Sequence, residues 1–164
     1  MNEAEYIAYF KAIAETLIAI EHSEGVTKRF ATIEEFPDAM KTMNTEKQVM
    51  IVKNERGGID GVGQGNLLEL HECSVSVLKK CRNGDFAAMH GAYQDTLTSL
   101  RKILGKMALD KRNNIPFALS LKLEGVQFEK IGPYSDCLYG YELTFYMNSK
   151  SQSLYEYQSG DWNE

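Results

Sequence analysis

Residues 85–109 read DFAAMHGAYQDTLTSLRKILGKMAL, and the fold is decided by this stretch. Phe86, Met89, Tyr93, Leu97, Leu100, Leu104 and Met107 recur at three- or four-residue intervals, the spacing that lines one face of an α-helix against a sheet. Asn83 or Asp85 is placed to cap its N-terminus, and Lys111 and Arg112 follow it where the helix dipole favours cations. His90-Gly91 inside the helix reads as a close helix–sheet contact. Strand-like runs stand on both sides, so the architecture is that of a helix packed on a sheet built before and after it.

Upstream, the continuous run Val49-Met50-Ile51-Val52 suits an interior strand, being short and rich in β-branched residues. Gly57, Gly58, Gly61, Gly63 and Gly65, with Asp60-Gly61 at their centre, then predict a mobile hairpin loop. The next strand, residues 67–79, changes parity: Leu68 and Leu70 are apolar at even positions, and Cys73, Val75 and Val77 at odd ones. Side chains alternate with period two, so the switch near His71 requires a bulge or bend, or burial of different faces at the two ends. Such a hairpin is able to project and find its second apolar partner on another subunit.

Downstream, Pro116 marks a boundary, and Phe117, Leu119, Leu121 and Leu123 read as one face of a strand. Val126 and Phe128 fall on the other parity, which makes Gly125 the expected bulge. Gly132-Pro133 supplies a turn before a last strand in which Tyr139, Tyr141, Leu143, Phe145 and Met147 alternate. At the N-terminus, Tyr6, Phe10, Ile13, Leu17 and Ile20, widened by Ile7, Ala14 and Ile18, predict a helix over residues 3–21, with Gly25 as its stop. Residues 26–47 read as a connection with a short strand at 29–33, and the Phe36-Pro37 step disfavours helix at Phe36. The expected fold is therefore α+β: an antiparallel or mixed sheet of about four to five strands with two helices packed on one face. One domain covers residues 1–148, and residues 149–164 form a polar tail containing aromatic residues.

Composition narrows the function classes. With 164 residues, 43% hydrophobic and 25% charged, the chain is long enough to bury a core without staples. A formal charge of −5 argues against direct nucleic-acid binding. No apolar run approaches membrane-spanning length, and residues 1–20 carry acids where a secretory leader carries bases, so cytoplasmic location is expected. Cys73, Cys81 and Cys137 are odd in number and widely spaced, which speaks against a disulfide framework; Cys73 falls on an apolar strand face.

No catalytic, cofactor or metal residue is assigned. Gly61-Val62-Gly63-Gln64-Gly65 is followed by a strand, where a phosphate-binding loop needs a helix N-terminus. His71 and Cys73 share a strand face, but no ligand spacing joins them to His22 or His90. Cys81 and Cys137 have no local base, and Glu34, Glu35, Glu69 and Glu72 form no privileged acid–base pair. Tyr155, Tyr157 and Trp162 in the tail are candidate anchors for a partner, against the plainer reading of a terminus or a clasp on the chain itself.

The order of elements, with Leu70-His71-Glu72-Cys73-Ser74-Val75-Ser76-Val77 before the long helix and Gly140-Tyr141-Glu142-Leu143-Thr144-Phe145 at the end, resembles the tail terminator and related neck or tail-completion proteins of long-tailed bacteriophages. The resemblance is architectural and spans residues 3–148; residues 26–47 and the aromatic tail are not required by it. It implies a homo-oligomeric ring, typically a hexamer, that terminates or joins the tail tube and meets other tail or head-connector proteins. The chain would then reside in the cytoplasm of a bacterial host or in the virion. On this reading Gly57, Gly58, Asp60, Gly61, Gly63, Gly65, Leu68 and Leu70 belong to the oligomer or partner interface. The alternative is a small α+β ligand-binding or regulatory domain in which Tyr139 or Tyr141 faces a ligand, and a metal or cysteine enzyme is the third reading.

Overall fold

The computed structural model describes residues 3–60, 68–134 and 137–150. Along them lie α1 (Glu3–Thr16), β1 (Phe30–Thr32), α2 (Phe36–Ala39), β2 (Val49–Asp60), β3 (Leu68–Lys80), α3 (Phe86–Arg112), α4 (Pro116–Leu119), β4 (Leu121–Tyr134) and β5 (Leu138–Lys150). The strands form one sheet in the order β1-β2-β3-β5-β4. Only β1 and β2 are parallel, and the segment carrying α2 provides the crossover that parallel neighbours require. The chain is therefore α+β with a mixed five-stranded sheet, in agreement with the class read from the sequence.

Two apolar layers explain the strand patterns. Cys73, Val75 and Val77 of β3, with Met50, Val52, Leu143 and Phe145 beside them, are buried under α1 and α3. On the reverse face Ala31, Val49, Ile51, Leu78 and Leu138 are closed over by Phe36, Ala39 and Met43. Residues 49–52 are thus buried on both sides, which is why that run is continuously apolar.

α3 presents a different face from the one expected. Ala92, Thr96, Ser99, Leu100, Ile103, Met107 and Asp110 are buried, Leu97 and Leu104 lie at the margin, and Phe86 is 71% exposed. Small side chains occupy part of the interface, where Thr96 Oγ1 donates to the Ala92 carbonyl (2.8 Å) and so buries no unmet donor. Gly91 is not a close contact, because an added Cβ would meet no atom within 4 Å. Asp85 is the N-cap, accepting from the Ala88 amide at 2.9 Å. Buried Asp110 is matched by the Tyr9 hydroxyl (2.9 Å) and the Lys106 ammonium, fastening α1 to α3.

α1 stops at Thr16, five residues before the expected end. Ile18 is 77% exposed, whereas Ile20 is buried from the turn that follows. The stop is made by Glu21, held at φ 53°, and by Arg29, whose guanidinium donates to the Ile20 (2.9 Å) and Glu21 (3.2 Å) carbonyls and to Asn44 Oδ1 (3.1 Å). A buried cation satisfying carbonyls after a helix does the work expected of Gly25. His22, also buried, accepts the Arg29 amide on Nδ1 (3.1 Å) and sets Nε2 3.5 Å from Glu24. Two proline positions also differ from expectation: Phe36-Pro37 opens α2, and Phe117 and Leu119 belong to α4. In both short helices the proline occupies the first turn, where its missing N–H costs nothing.

Candidate functional site

Along β3 the burial falls between Glu72 and Cys73. Residues 73–78 of β3 are all buried, while residues 69–72 are half-buried. Beyond that point β3 remains laddered to β2 on one side, through Asp60↔Leu68, and to β5 on the other, through Leu68↔Lys150. At about 3.3 Å per residue, residues 68–72 give this three-stranded arm a length of about 16 Å, and Met147 of β5, opposite His71, is still in the core.

The bulge expected near His71 is not in β3 itself. β3 stays in unbroken register with β5, and the irregularity lies in the partner strand, where β2 shifts between Asn54 and Arg56. Leu70 shares the parity of Ser74 and Ser76, whereas His71 shares that of Cys73. Tyr6 is anchored beside the shift: its buried hydroxyl donates to the carbonyls of Lys53 and Ser74, both at 3.0 Å, and these two residues face each other across β2 and β3. Burial pushes the Tyr6 phenol well above its ordinary range, so it remains a donor.

The glycine segment is divided by the structure. Gly57, Gly58 and Asp60 belong to β2, correcting the expectation that they form the loop; ladder pairing to His71, Leu70 and Leu68 extends the strand through them. A Cβ at Gly57 would meet only the His71 ring at 3.7 Å and the Glu69 carboxylate at 3.9 Å, ordinary contacts, so no steric demand explains that glycine. Leu68 and Leu70 lie in β3 as expected, whereas Gly61, Gly63 and Gly65, and the tail anchors Tyr155, Tyr157 and Trp162, lie outside the described residues.

At the opposite side of the sheet, β4 has β5 as its only strand neighbour among the described residues. Four β4 residues, 123–126, stand against the single β5 residue Phe145, and Gly125 takes φ 76° within this bulge, as its position at the parity switch predicts. Lys122, Glu124, Glu129 and Lys130 are exposed along the strand, so the edge does not pair indiscriminately. On the sheet face turned away from α1 and α3, the Ser74 and Ser76 hydroxyls donate to Glu142 Oε2 at 3.1 and 2.8 Å.

The remaining candidate residues do not converge. His71 Nε2 lies 3.1 Å from Glu69 Oε2, and Cys73 is sealed in the core with its thiol pushed up to about 12, chiefly by burial. No three His, Cys, Asp or Glu side chains gather as a metal-holding group among the described residues. Tyr139 is nearly buried and lines a small cavity of about 100 Å³ with Arg82, Asn83, Gly84, Asp85, Phe86 and Met89. Tyr141 packs edge-on to Tyr93, ring centroids 5.9 Å apart. No helix among the described residues is long and apolar enough to cross a membrane.

Arg29, Asn44 and His22 organise a segment whose sequence carries no periodic signal, and a lone arginine in a connection gives no hint of burial. No protein-family model matches this sequence, and no curated protein matches it.

Proposed function

We propose that this chain is a structural assembly subunit of a bacteriophage or prophage tail or neck, forming a homo-oligomeric ring that terminates or joins the tail tube. The observation that carries this reading is the pair of open sheet edges. One is the outer side of β4; the other is residues 54–60 of β2, which have no strand beside them on the β1 side among the described residues. The two edges lie on opposite sides of the β3–β5 pair, so joining one to the other on the next copy is a heterologous contact, and a heterologous contact that closes makes a ring. The arm supports the same reading, since its half-buried residues 69–72 and the β2 edge beside them offer side chains and backbone to a neighbour.

Hydrogen–deuterium exchange followed by mass spectrometry across a concentration series tests the contact itself. On this reading, amides of β4 and of β2 beyond residue 53 gain protection together as the protein assembles. Assembly that protects neither strand removes the edge-pairing basis of the proposal.

The ligand-binding alternative is favoured by one specific observation, the place of Tyr139 in the cavity at the start of α3. That cavity is below the roughly 300–1,000 Å³ usual for small-molecule sites, and the groove of about 450 Å³ that shares Arg82, Asn83, Gly84, Asp85 and Phe86 with it is open to solvent and does not include Tyr139. A stoichiometric small molecule carried by the purified protein in native mass spectrometry would move the weight to this second reading.

A further inference from the structure

The register of β3 against β5 ends at Lys80↔Leu138, and Cys81 and Cys137 are the next residues after and before that pair. The contact is direct: the Cys81 amide donates to the Cys137 carbonyl at 3.1 Å. Cys137 takes φ 59°, where the strand turns, and this bond holds its backbone against that of Cys81; a disulfide spans Cα separations of about 4.4–6.8 Å. Both side chains pack in the same small cluster, around Ala92 and Tyr139 under the first turns of α3. The Cys81 thiol makes only long contacts, to the carbonyls of Ala88 (3.5 Å) and Lys79 (3.8 Å), so turning it toward Cys137 gives up little.

We propose that Cys81 and Cys137 form a reversible redox pair, closing as a cross-strand disulfide that clasps the end of β3 to the start of β5 beneath the N-terminus of α3. The oxidant class is a low-molecular-weight disulfide. The half-exposed Cys137 is the entry point: its thiolate attacks one sulfur of the oxidant, forms a mixed disulfide and expels one small thiolate. Cys81 then loses its proton to solvent, and its thiolate attacks the Cys137 sulfur. The bond between the two cysteines forms as the mixed disulfide breaks, and the second small thiolate leaves and is protonated. Two protein thiols are oxidised by two electrons, and one small disulfide is reduced to two thiols. Burial raises the Cys81 thiol above its ordinary range, which makes it the resolving partner of the two. Cys73 stays out of the exchange, sealed in the main core.

The test is incubation of the native protein with oxidised glutathione, followed by intact mass and a non-reducing peptide map. The wild type should lose two hydrogens, about 2 Da, with residues 81 and 137 linked and Cys73 unmodified. Cys81→Ser should stop at a persistent glutathione adduct on Cys137, and Cys137→Ser should remain largely unmodified. The wild-type result stands even where a variant fails to fold. A wild-type protein that keeps the adduct on Cys137, stays fully reduced, or links through Cys73 or between chains overturns the proposal.

Discussion

Replacing Tyr6 by Phe removes one oxygen and leaves the packed ring in place. That oxygen donates to two carbonyls, Lys53 and Ser74, at the point where β2 goes out of register and the arm begins. The ring, edge-on to Phe10 with centroids 5.1 Å apart, keeps its contacts, so the loss is confined to hydrogen bonding. One hydroxyl hydrogen is shared between two acceptors, and both lose that bond when it goes. A buried group deprived of its partner costs about 1–3 kcal/mol. With a urea m-value of about 2 kcal/mol/M, this range corresponds to a midpoint lower by about 0.5–1.5 M at unchanged m. Tyr9→Phe is the internal comparison, because its hydroxyl bonds the Asp110 carboxylate in a half-buried place and leaves Lys106 to hold that carboxylate. Equilibrium urea unfolding of the three proteins decides the matter. A Tyr6→Phe midpoint within about 0.2 M of wild type, at equal m, refutes the view that this hydroxyl pins α1 to the sheet.

Gly140→Ala should destabilise by about 3 kcal/mol or prevent folding, because the new Cβ would fall 1.9 Å from the Val77 carbonyl oxygen, and backbone in mid-sheet has nowhere to go; a midpoint like wild type contradicts the close approach. Arg29→Lys keeps the charge but loses the fork that reaches Ile20, Glu21 and Asn44, so thermal or urea unfolding should show a loss of about 1.5–3 kcal/mol, and a neutral result would show that the fork is dispensable. Stability should decline from about pH 9 upward. The folded state holds the Cys73 proton up to about pH 12 and the Tyr6 proton well beyond its usual pH 10, whereas the unfolded chain releases both at ordinary values, so the stabilisation present below pH 9 is lost as pH rises. Cys73→Ala should flatten the decline between pH 9 and 12 in urea titrations, and an equally steep decline in that variant counts against the assignment.

The main elements were legible because their periods are local. The run at residues 49–52, the alternation after Tyr139, the Asp85 cap and the Gly125 bulge each declare themselves within a few residues. The helix faces were less legible. Leu97 and Phe86 outrank Ser99 and Ala92 in hydropathy, yet the sheet admits the small residues and leaves Phe86 outside. Pro116 read as a boundary before a strand because helix opening and helix breaking share one residue, and only the following turn distinguishes them. The relations across strands were not legible at all. The clash at Gly140, the two bonds of Tyr6 and the meeting of Cys81 with Cys137 all depend on which strand lies beside which, and alternation within a strand is silent on its neighbours. The interface candidates divide along the same line: Leu70 and Gly57 lie on the arm, but nothing in their spacing fixes how far β2 continues through the glycines.

On the function proposed above, copies of this chain close into a ring through opposite sheet edges. Absolute mass by light scattering over a concentration series, with negative-stain imaging of the largest species, tests it most directly. The account predicts closed rings, with a hexamer of 18.5-kDa protomers (six times 18.5 kDa) at about 111 kDa. A strict monomer of 18.5 kDa at every concentration, with no ring in the images, contradicts it.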